Sequence, residues 1–321
     1  MIIQRLLLFL LLPILLIGCS NMSSQSSGEN RVGLLLEDTI DDQGWNSKGY
    51  QGLLNIHSNL NIDVVFMENM NTEAKVNKAV EEFAESEVNL IFGHGRYYAD
   101  LFTELGPKYP QIHFVSFNGE VEGDNVTSLH FDSYAMGYFA GMLAAAMSEN
   151  GHVGAIAAFD WQPEIKGFQD GATLNNTKTK VHLKYVEDWA NNEMALTLFE
   201  KLKQEGVDVF YPAGDGYHVE VIEEIRKDGL YAIGFVGDQT DLGESTVLTS
   251  TVQHVDYLYE LVAKSYYKQE LKAGNLRYDF QDGVISLGEF SSTIPEEIIV
   301  KMQEAVNTYI ETGELPTDPI L

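Results

Sequence analysis

The sequence predicts an α/β protein built from two doubly wound, Rossmann-like lobes that are joined by a hinge and enclose a cleft. From Arg31 onward, short β-rich apolar runs alternate with amphipathic helical stretches, which is typical of parallel βαβ units. The runs fall into two successive series of about five each. The chain has 321 residues, which is more than one hydrophobic core usually fills, so two lobes are expected.

The predicted strands are rich in β-branched and aromatic residues and end at Gly, Asp or Asn. They cover residues 32–36, 62–67, 90–93, 113–118 and 126–131 in the first series, and 153–159, 181–185, 207–213, 231–236 and 247–251 in the second. Predicted helices include 133–149, 191–205, 219–228, 255–272 and 295–312. Gly151, Gly206 and Gly229 each follow a predicted helix, where a left-handed C-terminal residue is expected.

A closed eight-stranded barrel is the alternative architecture. Uneven strand spacing and the long helix predicted at 133–149, which suits a crossing between lobes, favour the two-lobed fold. The expected division assigns 31–130 with about 253–280 to the first lobe and 131–252 to the second, while 281–321 packs on both. Open α/β sheets bind ligands beyond the carboxyl ends of their strands, so the cleft is the expected functional site.

The first 30 residues predict export and anchoring. Arg5 precedes an apolar run at 6–17 that is too short to span a bilayer and suits a signal peptide, predicted at 1–18. Gly18 and Cys19 resemble the processing site of bacterial lipoproteins, so Cys19 is predicted to carry lipid at the outer face of the cell membrane. A buried thiol is the alternative for Cys19. Residues 19–30, which are rich in Ser and Asn, are expected to form a flexible tether.

The net charge and the absence of common catalytic and metal-binding motifs exclude several classes of function. With 20 Lys and Arg against 48 Asp and Glu, the net charge of −28 makes direct nucleic-acid binding unfavourable. A single cysteine excludes an intrachain disulfide and a zinc site made of several thiolates. Neither G-x-S-x-G nor H-E-x-x-H occurs, so no enzyme, metal or cofactor is predicted. A glycosidase or nucleosidase that uses two cleft carboxylates is the enzymatic alternative.

Polar and aromatic residues follow the predicted strands. All three tryptophans, Trp45, Trp161 and Trp189, occupy such positions, which favours a stacking site for a flat ligand. The alternative is that they anchor loops, with Trp45 packed inward and Asp42 capping a helix. The candidate ligand-binding residues from these loops are Asp42, Trp45, Asn46, His94, Asn118, Trp161, Trp189, Gly214, Asp215 and Asp238.

Several segments resemble the basic membrane lipoproteins, the nucleoside-binding lipoproteins of bacterial ABC importers. Residues 41–46 (DDQGWN) are similar to the D-D-K-S-F-N segment of that family, and 124–128, 137–141, 231–234 and 238–239 match other landmarks. The resemblance covers nearly the whole chain. It implies a fold like that of type I periplasmic binding proteins, a purine nucleoside or related planar metabolite as ligand, and an ABC permease as partner.

The resemblance also implies roles for individual residues. In that family two aromatic rings sandwich the purine, and these positions fall on Trp45 and Trp189. A base-reading carboxylate is replaced by Asn118, a ribose-binding Asp by Val236 and a Lys by Gln253. Because each lost charged hydrogen bond costs about 1.5–3 kcal/mol, nucleoside binding is expected to be weakened or redirected. Asp238 is the candidate replacement for the ribose-binding carboxylate.

Residues 93–95, 211–217 and 247–253 resemble family members described as positive regulators of competence in spore-forming Gram-positive bacteria. This resemblance implies a role in positive regulation of competence gene expression. The alternative is a transcriptional activator that acts on DNA or through a partner protein and has a degenerate ligand pocket. The acidic charge and the export signal oppose direct contact with DNA.

Overall fold

The computed structural model describes residues 30–40, 44–175 and 177–320. These residues form two six-stranded sheets, each covered by helices on both faces. We call each sheet with its covering helices the first and second lobe, in chain order. The predicted signal peptide, Cys19 and Asp42 lie outside the described residues.

The first sheet has the strand order β11-β5-β4-β3-β1-β2, and all its pairs are parallel. Its strands are β1 (Arg31–Leu35), β2 (Asp63–Met67), β3 (Leu90–Gly93), β4 (His113–Phe117), β5 (Val126–Phe131) and β11 (Gly274–Tyr278). Helices α1 (Trp45–Leu60) and α8 (Val255–Tyr267) cover one face, and α2 (Glu73–Glu85) and α3 (Tyr98–Leu105) cover the other.

The second sheet has the order β12-β10-β9-β8-β6-β7, in which only the β10–β12 pair is antiparallel among the described strands. Its strands are β6 (His152–Ala157), β7 (Lys180–Tyr185), β8 (Val209–Ala213), β9 (Tyr231–Val236), β10 (Val247–Gln253) and β12 (Ile285–Leu287). Helices α4 (Ser133–Met147) and α5 (Pro163–Asn175) cover one face, and α6 (Asn192–Gln204) and α7 (His218–Lys227) cover the other. The last helix is α9 (Glu296–Thr312).

The two-lobed α/β prediction is confirmed. Ten predicted strands are present with ends shifted by at most two residues, and Gly151, Gly206 and Gly229 have the expected positive φ of 69°, 90° and 69°. Strands β11 and β12 were not predicted. In β11 only alternate residues are partly buried, and β12 has three residues, so neither carries a clear apolar pattern.

Helix α4 lies almost entirely in the core and packs on α5 at backbone contact. A Cβ added at Gly137 or Gly141 would lie 1.8 or 2.0 Å from a carbonyl oxygen of α5. Gly167 and Gly171 of α5 stand equally close to carbonyl oxygens of α4, at 2.0 Å each. Because no side chain fits between these backbones, the four glycines fix how α5, and the loop before it, sit on the second lobe.

Three chain segments cross between the sheets, from β5 to α4, from β10 to α8 and from β11 to β12. Backbone hydrogen bonds join them: Asp132 N donates to Tyr278 O over 2.8 Å, and His254 N donates to Val284 O over 2.8 Å. Bundled crossings of this kind allow two lobes to rotate about a shared hinge. The carboxyl edges of the two sheets can therefore approach one another.

Candidate ligand-binding site

A hydrogen bond joins the carboxyl edges of the two lobes. The backbone N–H of Trp45, at the start of α1, donates to Asp215 Oδ2 over 3.2 Å. Trp45 comes after β1 of the first lobe, and Asp215 follows β8 of the second. The structure thus brings two of the predicted residues together across 170 positions of sequence.

Trp45 has a fixed aromatic environment. Its ring stacks on His94 with centroids 4.3 Å apart and an interplanar angle of 16°, and it meets Phe117 edge-on at 5.7 Å. Phe131 contacts it edge-on at 6.3 Å. His94 therefore covers one indole face, and a flat ligand would have to use the opposite face.

His94 fixes Trp45 by hydrogen bonding as well as by stacking. Its Nε2 lies 2.7 Å from Trp45 O and its Nδ1 lies 2.8 Å from the Tyr259 hydroxyl. Because a carbonyl oxygen only accepts, Nε2 carries the proton, and in the neutral imidazole the Tyr259 hydroxyl then donates to Nδ1. A Cβ on Gly49 would lie 2.8 Å from the His94 ring, and one on Gly52 would lie 2.6 Å from the Tyr259 ring. These glycines let α1 rest directly on both rings.

The second lobe presents an exposed aromatic cluster of Phe159, Trp161 and Trp189. Phe159 and Trp161 stack with centroids 5.4 Å apart at 15°, and Trp189 meets them edge-on at 5.4 and 6.0 Å. Trp161 is 57% and Trp189 39% exposed, so both rings offer apolar surface that a ligand could cover. Trp161 and Trp189 were predicted, whereas Phe159 was missed because it lies at the end of an apolar run.

The loop that carries Asp215 is rigidly packed. Gly214 is buried, and a Cβ there would lie 2.0 Å from the Tyr217 ring, so packing rather than ligand access explains this glycine. The Tyr217 hydroxyl donates to Ile156 O over 3.1 Å. Gly216 N donates to Trp189 O over 2.9 Å, which ties the Asp215 loop to the Trp189 loop.

The three positions at which the family resemblance implies lost charges lie at strand ends. Asn118 follows β4 with a φ of 57° and is exposed, while Val236 ends β9 with a φ of 64°. A β-branched residue in the left-handed region stores strain of about 1–3 kcal/mol, which is characteristic of functional sites. Gln253 ends β10, is buried, and pairs in register with Ile285.

Asp238 is engaged by the protein itself. Its carboxylate accepts hydrogen bonds from Glu289 N at 2.8 Å and from the Thr240 hydroxyl at 2.7 Å. Burial acts to raise the pKa of Asp238, but these hydrogen bonds outweigh it and hold the pKa below its usual value. Asp238 thereby anchors the segment around β12, and a ligand hydroxyl would compete with these protein donors.

The cleft edge is acidic. Asp160 and Asp188 are exposed beside the second-lobe aromatic cluster, and Glu37 lies half-buried after β1. Burial, reinforced by the neighbouring Asp38, raises the pKa of Glu37. Asn46, the remaining predicted residue here, is buried in the first turn of α1. Such a surface favours neutral or cationic ligands over anionic ones.

Two polar residues that are not among the predicted ligand-binding residues hold the second-lobe cluster. Gln162 accepts from Phe159 N at 2.8 Å and donates to Ala213 O at 3.1 Å. Glu164 accepts from the Ser133 hydroxyl at 2.7 Å, and burial raises the pKa of this carboxyl group. Their side chains fix the loop between β6 and α5, and only the contacts of the folded chain reveal this.

Other candidate sites have little support. A shallow depression on α5 is lined by Lys166 and Asp170, which form an ion pair with each other. In the part of the chain that the structure describes, no cluster of three or more His, Cys, Asp or Glu residues is placed to bind a metal ion. No described helix is long and apolar enough to cross a membrane.

The sequence model of the Bmp family, described as PnrA-like substrate-binding proteins of ABC transporters, matches residues 29–318. The chain belongs to this family. The resemblance inferred from the motifs is thereby confirmed, and the family description is one of substrate binding rather than catalysis.

Individual relatives agree with this assignment. The transcriptional activator protein Med of Bacillus subtilis is 47% identical over 314 residues, which cover 98% of this chain and 99% of Med. A crystal structure of a transcriptional activator of the comK gene from Bacillus halodurans is 56% identical, with a TM-score of 0.86, over 89% of this chain and 100% of that one. A purine-binding protein of Brucella abortus is 23% identical over 89% of this chain and 82% of its own length.

Proposed function

We propose that this Bmp-family chain is a lipid-anchored, extracellular solute-binding protein whose lobes close on a planar, purine-nucleoside-like molecule between Trp45 and Trp189. The observation that carries the proposal is the hydrogen bond between Trp45 and Asp215, which joins the lobe edges that bear these indoles. The purine-binding relative from Brucella supports the ligand class.

The ligand chemistry follows from the site. Stacking of a base on an aromatic side chain contributes about 1–3 kcal/mol, so two indoles supply a substantial part of micromolar binding. Asn118 and Gln253 offer neutral hydrogen-bonding groups near the strand ends. The acidic edge disfavours a phosphate, so a nucleoside or a free base is a better ligand than a nucleotide.

Calorimetric titration of the full-length chain with adenosine, guanosine, inosine, uridine and adenine tests this proposal. We expect Trp189→Ala to weaken binding of the preferred compound about tenfold, because stacking is lost. Phe66→Ala is the matched control, since Phe66 is 40% exposed, as Trp189 is 39%, and lies on the edge strand β2, where its ring contacts Tyr50. Absence of binding by every compound, or equal losses in both variants, would overturn the proposal.

A second variant distinguishes a nucleoside from a base. Val236→Asp introduces a carboxylate at the position that the family resemblance assigns to ribose binding. We expect it to strengthen adenosine binding and to leave adenine binding unchanged, because a ribose diol donates two hydrogen bonds to a carboxylate. Equal effects on both compounds would argue that the sugar does not reach β9.

The proposed anchor is tested at Cys19. Mass spectrometry of the membrane-extracted protein should show a lipidated N-terminal Cys19, and Cys19→Ala should release the protein into the medium. Retention of an unmodified N-terminus with membrane association would contradict lipid anchoring. This test is independent of the ligand experiments.

We further propose that the protein acts in positive regulation of competence gene expression through a partner protein. The two relatives named as transcriptional activators favour a regulatory role. The net charge of −28 argues against a direct DNA contact. Titration of the purified protein with duplex DNA at low salt should show no binding, and tight, salt-dependent binding would favour the direct route instead.

A further inference from the structure

We propose that Asp215 is an interlobe clasp: its carboxylate caps α1 of the opposite lobe, holds the cleft closed and sets the separation of the two stacking indoles. This role differs from ligand contact, and it does not depend on which molecule binds in the cleft.

The contact places an acceptor from the second lobe at the N-terminus of α1. Helix α1 has 16 residues, its N-cap position is Gly44, and its first turn contains no acidic residue. Helices are stabilised by an oxygen acceptor at this end, because the first N–H groups lack intrahelical partners and carry a partial positive charge. Asp215 Oδ2 accepts from Trp45 N and so supplies this acceptor from the other lobe.

The fit between the carboxylate and α1 is close. A Cβ added at Gly44 would lie 2.7 Å from Asp215 Oδ1 and 3.1 Å from its Cγ. Asp215 therefore rests directly against the backbone of Gly44, where any larger residue would displace it. Such contact requires the two lobe edges to be together.

The clasp is connected to both aromatic rings. The N–H that Asp215 accepts belongs to Trp45 itself. On the other side, Gly216 N donates to Trp189 O, and a Cβ on Gly216 would lie 2.7 Å from Ala190 Cβ, so the Asp215 and Trp189 loops move as one unit. Opening the clasp must therefore change the distance between Trp45 and Trp189.

The experiment measures opening in the full-length chain without added ligand. Small-angle scattering gives the radius of gyration, and acrylamide quenching reports on tryptophan accessibility, since all three tryptophans lie at the cleft edge. We expect Asp215→Asn to lower the closed-to-open ratio about tenfold, because the charge that strengthens the hydrogen bond is lost. The radius of gyration and the quenching constant should both rise, while circular dichroism stays unchanged.

Asp160→Asn is the matched control. Asp160 is an exposed carboxylate on the same edge of the second lobe, so this variant removes the same charge without touching the clasp. We expect wild-type scattering and quenching from it. Equal responses of the two variants would show that general repulsion across the cleft, and not the clasp, governs closure, and would overturn the proposal.

Gly44→Ala provides a second test of whether Asp215 holds the cleft closed. Alone, it should displace the carboxylate and open the cleft, while in an Asp215→Ala background it should add little, because the clasp is already absent. Fully additive effects, or wild-type scattering and quenching in both Asp215 variants, would contradict the inference. Loss of nucleoside binding by itself would leave it standing, since these readouts use no ligand.

Discussion

The two lobes hold their predicted stacking indoles in opposite ways. In the first lobe, Trp45 stacks on buried His94, which is hydrogen-bonded to Tyr259 beneath it. In the second lobe, the rings of Trp161 and Trp189 contact each other and Phe159, and remain 57% and 39% exposed. Trp45 is partly buried and packs against the core, whereas Trp161 and Trp189 are exposed.

This difference suits the indoles of the two lobes to different roles in ligand binding. A side chain that is already fixed loses little conformational entropy on binding, so Trp45 is suited to define the position of a ligand. Exposed rings lose more freedom but bury new apolar surface, so Trp161 and Trp189 are suited to supply binding energy and to adapt. The comparison predicts that the free energy of unfolding depends mainly on the first-lobe support, while changes in the second-lobe cluster mainly affect ligand binding.

The largest effect is expected from His94→Ala. This change removes two hydrogen bonds and a stacked ring and leaves a cavity beneath α1, which together should lower the free energy of unfolding by about 3–4 kcal/mol. Urea unfolding followed by circular dichroism measures the loss. A fall of less than about 1 kcal/mol in the free energy of unfolding would show that His94 does not hold Trp45 in place.

The first lobe also contains a partly buried group whose protonation makes stability depend on pH. The first lobe contains a second enclosed imidazole, His113, which donates from Nε2 to the Thr127 hydroxyl at 2.8 Å, while Thr127 donates to Lys272 O at 2.9 Å. Burial lowers the pKa of His113 to about 4. The rings of the second-lobe cluster are Phe and Trp, which do not titrate.

Because the unfolded His113 gains a proton near its ordinary pKa of about 6.5 and the folded one near 4, its contribution is present above pH 6.5 and lost as pH falls toward 4. The expected loss is on the order of 2 kcal/mol. His113→Gln keeps a donor for Thr127 but cannot titrate, so the difference in unfolding free energy between pH 7 and pH 4.5 should shrink in this variant. An unchanged pH dependence would show that His113 is not the group responsible.

A smaller effect is expected from Gly49→Ala. The added Cβ would lie 2.8 Å from three atoms of the His94 ring, so the ring or α1 must shift, at a cost of about 1–3 kcal/mol. Gly237→Ala is the matched control, since a Cβ there meets nothing within 4 Å and should change stability by less than about 0.5 kcal/mol. Similar unfolding midpoints for the two variants would argue against close packing of α1 on His94.

These residues also show what could be predicted from sequence. The first and last residues of β3, β5 and β9 agree with the prediction, because apolar runs and turn residues are local signals. The support of Trp45 could not be predicted, since His94 lies 49 residues away and Tyr259 a further 165. Local patterns place a residue at a strand end, but only tertiary packing decides which residue supports it.

Asp215 also shows that the local sequence does not reveal which tertiary contact a side chain makes. A carboxylate between two glycines suggested ligand contact, because bare backbone allows a ligand to approach. In the structure Gly214 is required by the Tyr217 ring, Gly216 by Ala190, and the carboxylate meets Trp45 N. The composition of the loop therefore singles out Asp215, while the contact that its carboxylate makes depends on the neighbouring lobe.

A smaller change in stability than that of Gly49→Ala is expected from Trp161→Ala, below about 1 kcal/mol, because more than half of this side chain is already exposed. Its effect should instead appear in ligand binding. Trp161 stacks on Phe159 and meets Trp189 edge-on at 6.0 Å, and such aromatic pairs contribute about 0.5–1.5 kcal/mol. Losing this support should weaken calorimetric binding of the preferred nucleoside about twofold to tenfold. A large fall in unfolding free energy with unchanged affinity would reverse the assignment, since the second-lobe cluster would then be structural and the exposed rings would not adapt to a ligand.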